Sequence, residues 1–242
     1  MTKPVSYKRH RFPHQIIAHA VWLYFRSPLS LRLVEEMLLE RSIVVSYETI
    51  RRWGKKFGPE YARRLHRKPP SRNDVWHLDD VVISISGKKQ WLWRAVDQDG
   101  YVLDEIVQSR RDTKAAKRLL TRLLKRQGAA PKRIITYKLP LHGSARRQVM
   151  AWVEHRSYKG QNNRAESSHV LLRRTERMMQ GFRSVGGLQR FTSVFSTVRN
   201  LFVPARSNQT ALSTHIHRLR AMAEWREAAG LLAWNWRGRA FC

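Results

Sequence analysis

The chain has 242 residues, 42% of them hydrophobic, with 47 Lys and Arg against 18 Asp and Glu and a formal charge of +29. This length and apolar content allow a packed core in one large or two small domains and exclude wholesale disorder. The positive charge runs along the whole chain and repels itself in a compact protein, so a polyanion, nucleic acid first, is the expected partner; a membrane surface is the weaker alternative, because no stretch is long and apolar enough to span one.

The N-terminal cations Lys3, Lys8, Arg9 and Arg11 are followed by no apolar run of the signal-peptide kind. The single cysteine, Cys242, excludes a disulfide framework and a Cys-based zinc site, and a reducing cytoplasm is the expected compartment.

Ile16, Ile17, Ala20, Val21 and Tyr24 form a helical stripe over residues 14–26. Ser27-Pro28-Leu29-Ser30 breaks it, and Ser30 can cap a second helix with Leu31, Val34 and Leu38 inward. After the short run Ser42–Ser46, Ser46 caps a third helix with Ile50, Trp53 and Phe57 inward. Arg51, Arg52, Lys55 and Lys56 face outward. A three-helix pattern with a basic last helix suits a helix-turn-helix domain over 1–62, whose third helix enters the major groove. Residues 63–72, with Pro69-Pro70, read as a basic linker.

A second domain, 73–203, opens on a strand from Trp76 to Ser86. Alternation puts Asp79 on a face with Val81, Ile83 and Ile85, and Asp80 on the other with Val82, Ser84 and Ser86. Asp79 is thereby expected on the more apolar side and Asp80 on the more polar one. A carboxylate on an apolar face is costly unless paired, hydrogen-bonded or metal-bound, which makes Asp79 a site candidate. Gln90–Val96 and Tyr101–Val107 are further strands, joined by the hairpin signal Asp97-Gln98-Asp99-Gly100. Asp112 can cap a leucine-rich helix that Gly128 stops, followed by a fourth strand at Arg133–Tyr137 and helical residues near 143–150. A short strand is expected near Val153. Three meandering strands followed by strand–helix alternation indicate a mixed α/β sheet with helices packed on it.

Asn162-Asn163-Arg164-Ala165-Glu166 opens the next helix. Asn163 and Glu166 have the spacing of a capping box. Glu166, His169, Arg173 and Arg177 also follow the spacing of one helical face, with Arg174 beside it. A carboxylate heading a basic stripe suits a nucleic-acid enzyme, with arginines on phosphates and the carboxylate on a divalent metal. His169 is given no catalytic role. Phe191, Val194, Phe195, Val198 and Leu201 mark a packed helix over 190–202, and Leu212–Ala229 another. Residues 204–242 are read as a C-terminal helix and tail, the tail from Trp234 poorly ordered.

Four of these segments together resemble the DDE transposases of bacterial insertion sequences: Trp76-His77-Leu78-Asp79, Leu92-Trp93-Arg94-Ala95-Val96-Asp97, Ile135-Thr136-Tyr137-Lys138-Leu139 and Asn162-Asn163-Arg164-Ala165-Glu166. The group they resemble has short elements, an N-terminal helix-turn-helix and replicative cointegrate formation. The resemblance implies a ribonuclease-H-like, integrase-like core. It also implies binding of double-stranded DNA at the element's terminal inverted repeats and at the target, by a homo-oligomer. Cleavage and strand transfer would depend on Mg²⁺ or Mn²⁺ held by three carboxylates. The first acid matches Asp79 and the third Glu166. The second position matches Tyr137, where the family has Asp. A phenol is uncharged at neutral pH and bulkier than a carboxylate, so weakened metal binding and impaired activity are expected. Two other readings stand beside this one: a non-catalytic protein that occupies the element ends and represses transposition, and a basic regulator or ribosome-associated protein using only the helix-turn-helix.

Overall fold

A computed structural model describes residues 4–71, 73–137, 140–157, 162–204 and 210–231. Lys138, Leu139, Gln161 and the tail from Trp234 lie outside the described residues.

Three helices come first: α1 (His14–Arg26), α2 (Leu31–Leu39) and α3 (Tyr47–Arg64). Ser30 and Ser46 cap α2 and α3, accepting from the amides of Leu33 and Thr49. The short run at residues 42–46 forms a turn and an irregular stretch. The inward stripes predicted for all three helices are buried: Ile17, Val21, Val34, Leu38, Ile50 and Phe57 are each 0% exposed. Gly58 permits the close crossing of α3 over α1, because a Cβ there would meet Phe25 Cε2 at 2.7 Å.

The central sheet has five strands in the order β3-β2-β1-β4-β5. β1 (Val75–Ile85), β2 (Lys88–Val96) and β3 (Val102–Gln108) form an antiparallel meander, and β4 (Arg133–Thr136) and β5 (Glu154–Ser157) add in parallel on the far side of β1. Asp97 builds the predicted β2–β3 turn, its Oδ1 accepting from the amides of Asp99 and Tyr101. Lys68 closes this turn with an ion pair to Asp99 at 2.8 Å and a second to Asp97. The expected mixed α/β sheet with helices packed on it is present.

Two cores flank the sheet. On one face α4 (Thr113–Gln127) and α5 (Pro140–Val149) cover Trp76, Leu78, Trp93 and Ala95. On the other, Val81, Ile83 and Ile85 of β1 join the side chains of α1, α3, α6 (Asn163–Met178), α7 (Val185–Leu201) and α8 (Ala211–Ala228) in one cluster. The N-terminal helices therefore bury apolar surface against the helices that back the sheet as well as among themselves. Tyr7 ties this assembly at its edge: its hydroxyl meets that of Tyr61 at 2.7 Å and donates to the carbonyl of Ala229.

This two-sided burial corrects the expectation for Asp80. Its side of β1 is not polar where it matters: the strand's N-terminal half carries Trp76 and Leu78 on that face, and α4 and α5 cover them. The Asp80 side chain is 0% exposed, whereas that of Asp79 keeps 18%. Alternation reveals which residues share a face, but the depth of each face depends on what later packs on it.

Candidate active site

Asp79 lies in the middle of β1, opposite Arg94 of β2. Arg94 is fully buried, yet it does not turn to Asp79. Its guanidinium pairs with Glu105 of β3 at 2.8 Å and donates through Nη1 to the carbonyl of Ser168 on α6 at 2.7 Å. Among the described residues no cation is bonded to Asp79, and burial pushes its carboxyl up to about 6, with repulsion from Asp80 and Glu166 adding to the rise. The Asp80 backbone amide and the distant His142 act in the opposite direction.

Glu166 sits exposed in the first turn of α6, close enough for its charge to act on Asp79. The placement of α6 is specific. Asn162, fully buried, donates through Nδ2 to the carbonyl of Leu78, the residue before Asp79, at 2.8 Å. Farther along, the Ser168 carbonyl accepts from both Arg94 and Arg199 of α7. The helix start is thus pinned to β1, β2 and α7, and Glu166 between these fastenings is held toward Asp79. The predicted capping box does not form. Asn162 rather than Asn163 takes the N-cap position, and its side chain is spent on the strand, which leaves Glu166 free of a capping duty.

His169, given no role from sequence, lies 5% exposed with Nε2 3.7 Å from Asp79 Oδ2. Burial, with Arg94, Arg173 and Arg199 nearby, drives its pKa well below the usual histidine value, so it is a neutral neighbour of the carboxylate at pH 7. The helical spacing of Glu166 and His169 is visible in the sequence. Their opposite exposure is not, because i and i+3 positions sit on either edge of the buried stripe. Arg173, Arg174 and Arg177 are exposed, as the stripe predicts.

Tyr137 directly follows β4. Leu78 pairs with Thr136 in the parallel register, so the next position on each strand brings Tyr137 to the flank of Asp79. Tyr137 is 36% exposed, and its carbonyl accepts from the Ser157 hydroxyl. The nearby acids are committed elsewhere. Asp97 and Asp99 hold Lys68, Asp104 is bound by Arg122 and Arg126, and Asp80 faces the opposite core with Arg111 at 2.7 Å. Among the described residues, no three His, Cys, Asp or Glu side chains converge to hold a metal ion. A divalent cation with hard oxygen preferences would find the carboxylates of Asp79 and Glu166 and, in place of a third, a phenol, a donor set that does not fit a two-ion, three-carboxylate cage.

The predicted DNA-contacting cations on α3 divide by exposure. Arg52, Lys55 and Lys56 are exposed, while Arg51 is half-buried and bonded through Nε to Glu48 at 2.7 Å.

Comparison with known proteins agrees with the geometry. A family profile described as a DDE domain matches residues 73–204, which contain the whole sheet, Asp79, Tyr137 and Glu166. The transposase for insertion sequence-like element IS431mec of Staphylococcus aureus is 33% identical over 125 residues, 51% of this chain and 56% of that protein. The transposase for insertion sequence element IS257 in transposon Tn4003, also from Staphylococcus aureus, is 32% identical over the same length. The matched segment thus spans just over half the length of these relatives. Among solved structures, the HTLV-2 integrase catalytic core domain in complex with magnesium superposes with a TM-score of 0.43 at 15% identity, covering 62% of this chain and 99% of that one. A simian T-cell lymphotropic virus intasome structure gives 0.44 at 16% identity, covering 62% and 56%. With the domain match extending over more than half the chain, this protein belongs to the DDE transposases of bacterial insertion sequences.

Proposed function

We propose that the chain binds the terminal inverted repeats of an insertion sequence as a homo-oligomer on DNA, and that its inherited chemistry is DNA cleavage and strand transfer. In this copy the chemistry is impaired. The observation that carries this reading is Tyr137 on the flank of Asp79, at the C-terminal end of β4. Asp79 and Glu166 are the carboxylates offered to a Mg²⁺ or Mn²⁺ ion, and they would hold it weakly. Arg51, Arg52, Lys55 and Lys56 on α3, with Arg173, Arg174 and Arg177 on α6, supply cations for the DNA backbone and grooves. The helix-turn-helix over 1–62, the linker 63–72, the core 73–203 and the C-terminal part 204–242 are the proposed functional divisions. Two element ends brought together require at least two copies during the reaction.

A second reading has the same support from Tyr137: a non-catalytic protein that occupies the element ends and represses an active transposase. A strand-transfer assay with Mg²⁺ on duplexes carrying the element's ends separates the two. Joining that appears with Tyr137→Asp and is absent from the native chain supports an impaired enzyme. Efficient joining by the native chain sinks the impairment. Specific binding with no joining by either protein leaves the repressor reading standing.

A further inference from the structure

A groove of about 750 Å³ lies between α3 and the connection from α6 to α7, away from the carboxylates. Arg51 and Lys55 of α3 stand on one wall, and Arg183 and Arg190 on the other. The acid lining it is Glu48, already bonded to Arg51 and to Arg52. Among the described residues, the side chains of Lys55, Arg183 and Arg190 make no hydrogen bond or ion pair with the protein. Three unneutralised cations therefore face one open groove from two structural units. Its floor is aromatic, with Phe25, Phe182 and Phe191, which lowers the local dielectric and strengthens the pull on an anion.

The groove continues a line that starts at the carboxylates. Arg173, Arg174 and Arg177 are exposed along α6, and Met179, the residue that ends this helix, lines the groove. About three turns of α6 separate Glu166 from Arg177, about 16 Å at 1.5 Å per residue, which is roughly five base pairs of B-form DNA. We propose that the backbone of the DNA presented to Asp79 and Glu166 runs along α6 and into this groove, where Lys55 grips it from α3 and Arg183 and Arg190 from the core of the same chain. The inference rests on the DNA-binding reading above. It also divides the cations of α3: Lys55 serves the backbone in the groove, Arg51 is held there by Glu48, and Arg52 and Lys56 are exposed toward a duplex surface.

Salt-dependent binding tests this. The full chain is titrated against a fluorescein-labelled duplex of about 30 base pairs and mixed sequence, at a series of NaCl concentrations. Every phosphate that is no longer neutralised should flatten the slope of log K against log salt by about 0.9. Arg183→Gln/Arg190→Gln should flatten it by nearly twice that, Lys55→Gln by one such step, and Lys55→Arg should restore the native slope. Lys88→Gln/Lys89→Gln, at the exposed start of β2, is the control for bulk charge. Groove variants that bind with the control's slope, while the native chain binds tightly, overturn the groove alone. A native chain that does not bind the duplex even at low salt overturns the DNA-binding reading and the groove with it.

Discussion

Asp79 and Asp80 are neighbours on one strand, but the fold treats them oppositely. Asp80 faces α4 and α5, is fully buried, and receives the Arg111 guanidinium at 2.7 Å, with His142 Nε2 at 3.7 Å. Asp79 faces α6, keeps an opening to solvent, and receives no cation among the described residues, although Arg94 stands opposite it in the sheet. That arginine is committed to Glu105 and Ser168. A buried carboxylate given a partner contributes to structure. One left in a crowded, partly open place with a second carboxylate nearby retains unmet demand for a cation or a proton, the electrostatic condition common at functional sites.

The comparison can be tested by removing each side's arrangement in turn. The largest effect is expected from Arg94→Met. It strands Glu105 without its partner in the interior and leaves the Ser168 carbonyl to Arg199 alone, costing about 4 kcal/mol by urea unfolding. A cost under about 1 kcal/mol would mean that Arg94 does not organise the Asp79 face. Next comes Tyr137→Asp, which adds a carboxylate beside Asp79 and is expected to raise Mg²⁺-dependent strand transfer by about 100-fold or more. The same change combined with Asp79→Asn should abolish the gain.

Smaller effects distinguish the two aspartates directly. Asp80→Asn removes the buried charge that holds Arg111, which is itself about one-third exposed, so the cost is discounted to about 2 kcal/mol. Asp79→Asn should act in the opposite direction. Because burial raises its carboxyl from the ordinary 3.8 to about 6, the native chain gives up stability as pH climbs from 3.8 through 6, where the unfolded chain ionises first. In metal-free buffer Asp79→Asn should therefore be more stable than the native chain by about 1–2 kcal/mol at pH 8, and equal to it at pH 3. Thermal melts across that range measure both. A variant less stable than the native chain at pH 8 would show that Asp79, like Asp80, has a stabilising partner.

Much of this architecture is legible in the order of residues. The helix stripes are local: apolar side chains at i, i+3 and i+4 must share a side, and Ser30, Ser46, Asp112 and Gly128 mark helix ends through bonds or angles made within a turn. The order of strands and helices likewise follows from local periodicity. The role of Asn162 is not legible, because its amide bonds a strand carbonyl 84 positions earlier. The Asn163–Glu166 spacing suggests a cap, while the true cap position lies one residue before. His169 escapes notice for a similar reason, since its proximity to Asp79 arises only when α6 is laid across β1.

By itself the sequence determined which residue types were available: an acid on β1, an acid at the head of α6, a tyrosine after β4, and an excess of cations. These follow from composition and short-range spacing, which need no tertiary contact. The tertiary structure alone decided how those residues are used. It gave Asp80 its arginine and turned Arg94 away from Asp79, and it pinned α6 by Asn162, Arg94 and Arg199 so that Glu166 bears on Asp79. It also set Lys55 across a groove from Arg183 and Arg190. Burial and charge pairing depend on residues far apart in the chain, so the electrostatic state of Asp79 exists only once the sheet and its covering helices have packed.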